Sequence, residues 1–220
     1  MKGLMERTVL EALAVGLRSI LSPRRTIAAW PTGWTFLLTL AIAGVVLDLI
    51  PVVLAEAKAG YLAVVIDAYG LWIVPLGLAI IIVGLTALTF AIAAYFAAFN
   101  WAALRIVSRS IGFRSTFTAA LLTAFIASVL AFVPTAVLAV ASLPAEFPLQ
   151  KSLDAVEGFA RLVSALYLIA MQSVLADIGV GITLVLGLVS GVIAFVVGLA
   201  IAWGFGQLFP DADRLFSWIP

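Results

Sequence analysis

Long apolar runs alternate with short polar stretches along most of this chain. A helix needs about 20 apolar residues to cross a hydrocarbon core of about 30 Å. Five runs meet this length, at about 34–54, 71–100, 116–141, 160–177 and 182–208. The pattern predicts an all-α, polytopic integral membrane protein in which residues 1–220 form a single membrane domain, a bundle of five transmembrane helices.

Residues 1–25 have a different pattern, which predicts an amphipathic leader and a hinge before the bundle. Leucines recur in the leader at spacings of three and four, at Leu10, Leu13, Leu17 and Leu21. Such a helix lies in the headgroup plane of the membrane, or it packs its apolar stripe against the end of the bundle. The hinge after it carries Pro23, Arg24 and Arg25, and a proline disfavours the helical conformation in the residue before it.

The amino-acid composition argues for a membrane protein and against several classes of function. Hydrophobic residues make up 65% of the chain and charged residues 10%, whereas soluble domains average about 45–50% and about 25%. A formal net charge of +1 gives no basic field for nucleic acid. Cysteine and histidine are absent, and with them thiolate chemistry, the commonest metal and haem ligands and the commonest general base. We therefore expect no cofactor, no metal site and no catalysis.

Two aspartates in or beside the spans form the candidate intramembrane polar site. Asp48 is the one ionisable residue of the first span, and Asp177 begins the short connection between the last two spans. A carboxylate inside a span is costly and raises a functional hypothesis. Asp48 is either a wet or hydrogen-bonded interfacial group, or a ligand or proton site. The predicted topology places the two aspartates on opposite sides of the membrane, which argues against an aspartyl catalytic pair.

The remaining patterns concern connections and helix packing. We expect residues 55–69 to form a re-entrant or surface-lying loop, and residues 142–161 a loop with a short helix beginning near Ser152. Small residues four apart allow close approach of helices. Two such pairs are Ala93 with Ala97 in the second span and Gly187 with Gly191 in the fifth, the latter either packing a helix or lining a pore.

The distribution of Lys and Arg predicts the orientation. The N-terminal segment and the second and fourth connections carry eight of them, and the other connections with the C-terminal tail carry four. Cytoplasmic segments hold the excess of basic residues. The N-terminus is therefore predicted in the cytoplasm and the C-terminus outside.

The layout and two short motifs resemble the Yip-domain family, named for Ypt/Rab-interacting proteins. The motifs are the basic hinge Ser22-Pro23-Arg24-Arg25-Thr26 and a connection of the form Arg-x-Ile-Gly-x-x-Ser-Thr-Phe at residues 109–117. The resemblance, to a prokaryotic-type member, implies a five-helix, non-enzymatic protein with a cytoplasmic N-terminus, here in a bacterial inner membrane. Eukaryotic members resemble adaptors for trafficking GTPases, and the family supplies no catalytic residues.

The function predicted from these features is a scaffold or accessory protein, such as a subunit of a larger membrane complex. Its partners would be the lipid bilayer and other integral membrane proteins, with no nucleic acid. Basic residues next to the spans would make the contacts, at Arg24, Arg25, Arg105, Arg109 and Arg114. Each can attract anionic headgroups by about 1 kcal/mol. The alternative is a small-solute or ion transporter or channel that uses Asp48 and Asp177.

Overall fold

A computed structural model of the protein describes Ala14 and residues 33–141 and 148–208, so the leader, the hinge and the tail lie outside the described residues. The described part is all-helical. Its helices are α1 (Trp34–Ala59), α2 (Tyr61–Tyr69), α3 (Ile73–Val107), α4 (Phe113–Val140), α5 (Leu149–Ala176) and α6 (Val180–Leu208). All except α2 are long and apolar enough to cross a membrane, which confirms the predicted fold class.

Residues in the left-handed region end two of these helices. Gly60, at φ 82°, separates α1 from α2, and such a conformation favours a residue without a Cβ. Asp177, at φ 52° and ψ 45°, ends α5. The Ser173 hydroxyl donates to the Ile178 carbonyl at 2.8 Å. This bond holds the three-residue turn that joins α5 to α6, the short connection that the sequence predicts there.

Two predicted connections differ from the structure. The loop predicted at 55–69 is wrong, because the chain there is helical, and the helix predicted to begin near Ser152 begins earlier and is long, while residues 142–147 lie outside the described residues. Residues 61–69 form α2, and α1 itself continues to Ala59. The fourth span begins at Leu149 rather than near residue 160. Side chains four residues apart stabilise this polar start: Gln150 donates to Asp154 at 2.9 Å, and Arg161 pairs with Glu157 at 2.8 Å.

Helix α4 is central to the bundle and packs against α1, α3 and α5, while α6 packs against α3 and α5. The core cluster is correspondingly made mostly by α1 and α4, including Leu37 and Leu40 of α1 and Leu121, Leu122 and Ile126 of α4. Ala93 and Ala97 of α3 and Met171 of α5 complete it. The first small-residue pair therefore packs helices as predicted.

Among the described residues, the second small-residue pair does not pack against another helix. A Cβ added to Gly187 or Gly191 would meet no atom within 4 Å. The close approach occurs instead at Gly44, where an added Cβ would lie 3.5 Å from Ser128 Oγ and 3.7 Å from Phe125 Cα. Glycine spacing alone does not tell which face of a helix meets a neighbour.

In the described part of the bundle, the buried side chains of the long helices end at a similar depth along the bundle axis. We call the end where α1, α4 and α6 begin the Trp34 end, and the opposite end the Lys58 end. Going towards the Lys58 end, the last buried residues of the five long helices are Pro51, Thr86, Ser128, Ala160 and Ala194. In all but the longer α3, these lie about 21–26 Å from the Trp34 end, at about 1.5 Å per residue. Beyond this level the helices continue without buried side chains.

Candidate functional site

The candidate site is built around Asp48, at the level where burial stops. Ser128 Oγ of α4 lies 3.0 Å from Asp48 Oδ2 of α1, as the donor of a hydrogen bond. The same hydroxyl lies 3.3 Å from the Ala124 carbonyl, one turn earlier in its own helix. Because Gly44 precedes Asp48 by one turn and lets the two helices approach, a serine side chain is long enough to reach the carboxylate.

Two further charged residues lie on α5, which like α1 packs against α4. Glu157 and Arg161 of α5 form an ion pair at 2.8 Å, and their side chains are 52% and 76% exposed. Among the charged groups of the described residues, these two are near enough to act electrostatically on the Asp48 carboxylate. Asp48 is also exposed. We call Asp48, Ser128, Glu157 and Arg161 the charged face.

Helix geometry places three members of the charged face at one depth. At about 1.5 Å per residue, Asp48 lies about 21 Å from Trp34 along α1, and Ser128 about 23 Å from Phe113 along α4. By the same rise, Arg161 lies about 23 Å from Ala176 along α5. The charged face is thus within the length of the spans and on the outer surface of the bundle.

The structure does not bring Asp48 and Asp177 together. Asp177 follows the last residue of α5, about 24 Å along that helix from Arg161 at about 1.5 Å per residue, whereas Asp48 lies near Arg161. Asp177 is exposed, and its backbone N–H bonds to the carbonyls of Ser173 and Val174. Its place in the structure is that of a helix cap.

The basic connection between α3 and α4 is held by aromatic contacts at the Trp34 end. Trp101 Nε1 donates to the Ile111 carbonyl at 3.2 Å, and the Arg105 guanidinium lies 5.0 Å from the centre of the Trp101 ring. Arg114 lies 5.7 Å from the centre of the Trp34 ring. Arg109 is exposed. Of the five predicted arginine contacts, Arg24 and Arg25 lie outside the described residues.

Sequence reasoning did not find the polar contacts between α3 and α6. Ser190 Oγ and Asn100 Oδ1 are 2.6 Å apart, and the Tyr95 hydroxyl donates to the Ala194 carbonyl. The signal was present, since Asn100 and Ser190 are polar residues in apolar runs. The sequence does not show the register of α3 against α6 that brings these two side chains together. Gln172, buried at 2% exposure, was also missed.

Chemically, the described residues offer a charged surface and no metal centre: they contain no group of three potential Asp or Glu ligands. Comparisons with protein-family models, with curated proteins and with solved structures find no match to this chain.

Proposed function

We propose that the protein is a non-enzymatic integral membrane scaffold or accessory protein, and that the charged face binds a transmembrane helix of another membrane protein. The observation that carries this proposal is the exposure of Asp48, Glu157 and Arg161 within the length of the spans.

Exposed charge at this depth is costly in a bilayer. A charged residue costs about 2.5–3.5 kcal/mol at the centre of a span, and less where Asp48 and Arg161 lie, past the centre; such residues usually face a bundle interior or a partner. The ion pair of Glu157 with Arg161 offsets part of this cost, and Ser128 supplies one hydrogen bond to Asp48. A partner helix that covered the face would remove the remaining contact with lipid.

The charge of the face specifies the partner's chemistry. Two carboxylates and one guanidinium leave a formal charge of −1. A Lys, an Arg or a hydrogen-bond donor such as Asn on the partner helix would complement Asp48. Next to Asp48, one turn toward the Lys58 end, Val52 is 53% exposed, which suits an otherwise apolar helix.

The transporter alternative is less well supported by this placement. Carriers bind their substrates near the midplane between the helices of the bundle, whereas Asp48 and its charged neighbours are exposed on the outside of the described bundle.

The same proposal includes a place in a larger complex, location in the bacterial inner membrane and membership of the Yip-domain family. Support for them comes from the five spans and the basic connection. Lipid binding at the basic connection is its second part.

Photo-crosslinking tests the proposal. We would place p-benzoylphenylalanine at Val52 and, as the matched control, at Val196 of α6; the two side chains are 53% and 57% exposed. In membranes, the reagent at Val52 should give a crosslink to one distinct membrane protein, and at Val196 it should not. Adding Asp48→Asn or Arg161→Gln should reduce the Val52 crosslink at least several-fold, because the polar contacts are lost.

Three results would contradict the proposal. One is the same crosslinking pattern from both positions. Another is a crosslink from Val52 that persists unchanged in Asp48→Asn and Arg161→Gln. The third is a product at twice the mass of the chain, which would identify a second copy as the occupant instead of an accessory partner.

A further inference from the structure

An apolar groove of about 350 Å³ opens on the surface of the bundle between α1 and α3. It is lined mainly by apolar side chains: Leu38 and Ile42 of α1, and Ile82, Val83, Ala87 and Phe90 of α3. The groove is separate from the charged face, which lies on α1, α4 and α5. A groove of this composition offers no hydrogen bond to water and suits a hydrocarbon chain.

The groove leads to a basic residue at the Trp34 end. Trp34, Leu38 and Ile42 follow each other at intervals of one turn along α1, and Trp34 is 67% exposed. The Arg114 guanidinium lies 5.7 Å from the Trp34 ring centre. In the part of the chain that the structure describes, no carboxylate lies within ion-pair distance of Arg114. An exposed arginine thus stands next to the indole, at the mouth of an apolar channel.

We propose that this surface binds one anionic phospholipid of the leaflet at the Trp34 end. The phosphate lies against Arg114, the glycerol region lies beside Trp34, and one acyl chain lies in the groove. This inference rests on the lipid-binding part of the proposed function and does not involve the charged face.

Charge and size together favour this occupant. The guanidinium and the groove match the two ends of a phospholipid, an anionic head and a hydrocarbon tail. Arg114 is also in the first turn of α4, where the helix dipole favours an anion. A protein helix is about 10–12 Å across and would lie over a groove of about 350 Å³ instead of entering it.

The test measures lipid bound to the purified full-length protein by native mass spectrometry, with phosphatidylglycerol added to delipidated protein. Arg114→Gln should weaken binding about five-fold, the factor for one lost basic residue near the headgroup. Lys151→Gln is the control, because Lys151 is an exposed basic residue near the start of α5, at the Lys58 end. It should leave binding unchanged.

A second pair of variants tests the groove. Ala87→Phe fills it and should reduce phosphatidylglycerol binding by a similar factor, whereas Ala79→Phe, at an exposed alanine of α3 outside the groove, should not. Phosphatidylcholine and soluble glycerol phosphate should both bind at least several-fold more weakly, the first through its neutral headgroup and the second through its missing chains.

Equal binding of phosphatidylglycerol and phosphatidylcholine, or equal effects of Arg114→Gln and Lys151→Gln, would overturn the inference. So would glycerol phosphate binding as tightly as the lipid. Arg114→Gln changes one exposed side chain, so this arm decides the inference even if Ala87→Phe does not fold. The result is independent of crosslinking at Val52, and either proposal can fail alone.

Discussion

Gln172 is the residue whose environment least suits its chemistry. Its side chain is 2% exposed, and its Nε2 has no hydrogen-bond partner in the structure as described. The neighbouring Met171 belongs to the apolar core cluster. A buried donor without a partner costs about 1–3 kcal/mol relative to a satisfied one.

Gln172→Met is therefore expected to stabilise the protein. Methionine has a similar volume and no donor, so the substitution removes the unpaired amide without opening a cavity. We expect a gain of about 1 kcal/mol, measured as a higher midpoint of thermal unfolding in detergent. Ser164→Ala is the control, since the Ser164 hydroxyl is bonded to the Arg161 carbonyl at 2.9 Å. A lower midpoint for Gln172→Met would mean that the amide has a partner.

The sequence could predict one residue of the polar contact but not the other. Asp48 could be identified because it is the one charge in an apolar run. Its partner Ser128 could not, because hydroxyls are common in the spans and the pairing depends on a helix contact 80 positions away in sequence. The contact is possible because Gly44 lets α1 and α4 approach, and the sequence alone does not show that Gly44 faces α4.

At the scale of the element, α3 and α6 form an antiparallel pair with a defined register. Tyr95 meets Ala194 and Asn100 meets Ser190, so the sequence numbers rise on one helix as they fall on the other. Both contacts replace water or lipid with a specific polar partner, and they fix the two helices against sliding past one another.

A double-mutant cycle should detect the coupling of Asn100 with Ser190. We expect Asn100→Leu and Ser190→Ala to show an interaction energy of about 0.6 kcal/mol, and at most about 1.7 kcal/mol, as for hydrogen bonds between transmembrane helices. The measurement is unfolding in mixed detergent micelles. A cycle of Asn100→Leu with Ser173→Ala should give no coupling, because Ser173 bonds to Ile178 in the α5–α6 turn. Additive effects in the first cycle would refute the contact.

The long helices could be predicted from the sequence because each contains an apolar run long enough to cross a membrane. All five long helices lie where the apolar runs predict them. The errors fall where helices continue through polar residues, as at 149–161, because hydropathy marks the membrane and not the end of a helix. Pairs such as Gln150 with Asp154 are local signals that could have placed that start correctly.

At the scale of the whole molecule, the two candidate sites are formed by different sets of helices. The phospholipid groove lies between α1 and α3. The charged face lies on α1, α4 and α5. A protein partner bound at the charged face therefore need not displace the lipid, and the two could be bound at the same time.

Orientation decides which leaflet and which compartment these sites meet. Because the chain has no cysteine, single cysteines can report it without a background. We would compare Ser110→Cys, in the connection after α3, with Ala63→Cys, in α2 before α3; both positions are exposed. The excess of Lys and Arg predicts that the Ser110 side is cytoplasmic. A membrane-impermeant thiol reagent should then label Ala63→Cys in intact cells and Ser110→Cys only after permeabilisation.

The reverse result would invert the topology and move the phospholipid groove to the outer leaflet. Labelling of both positions in intact cells would mean that α3 does not span the membrane.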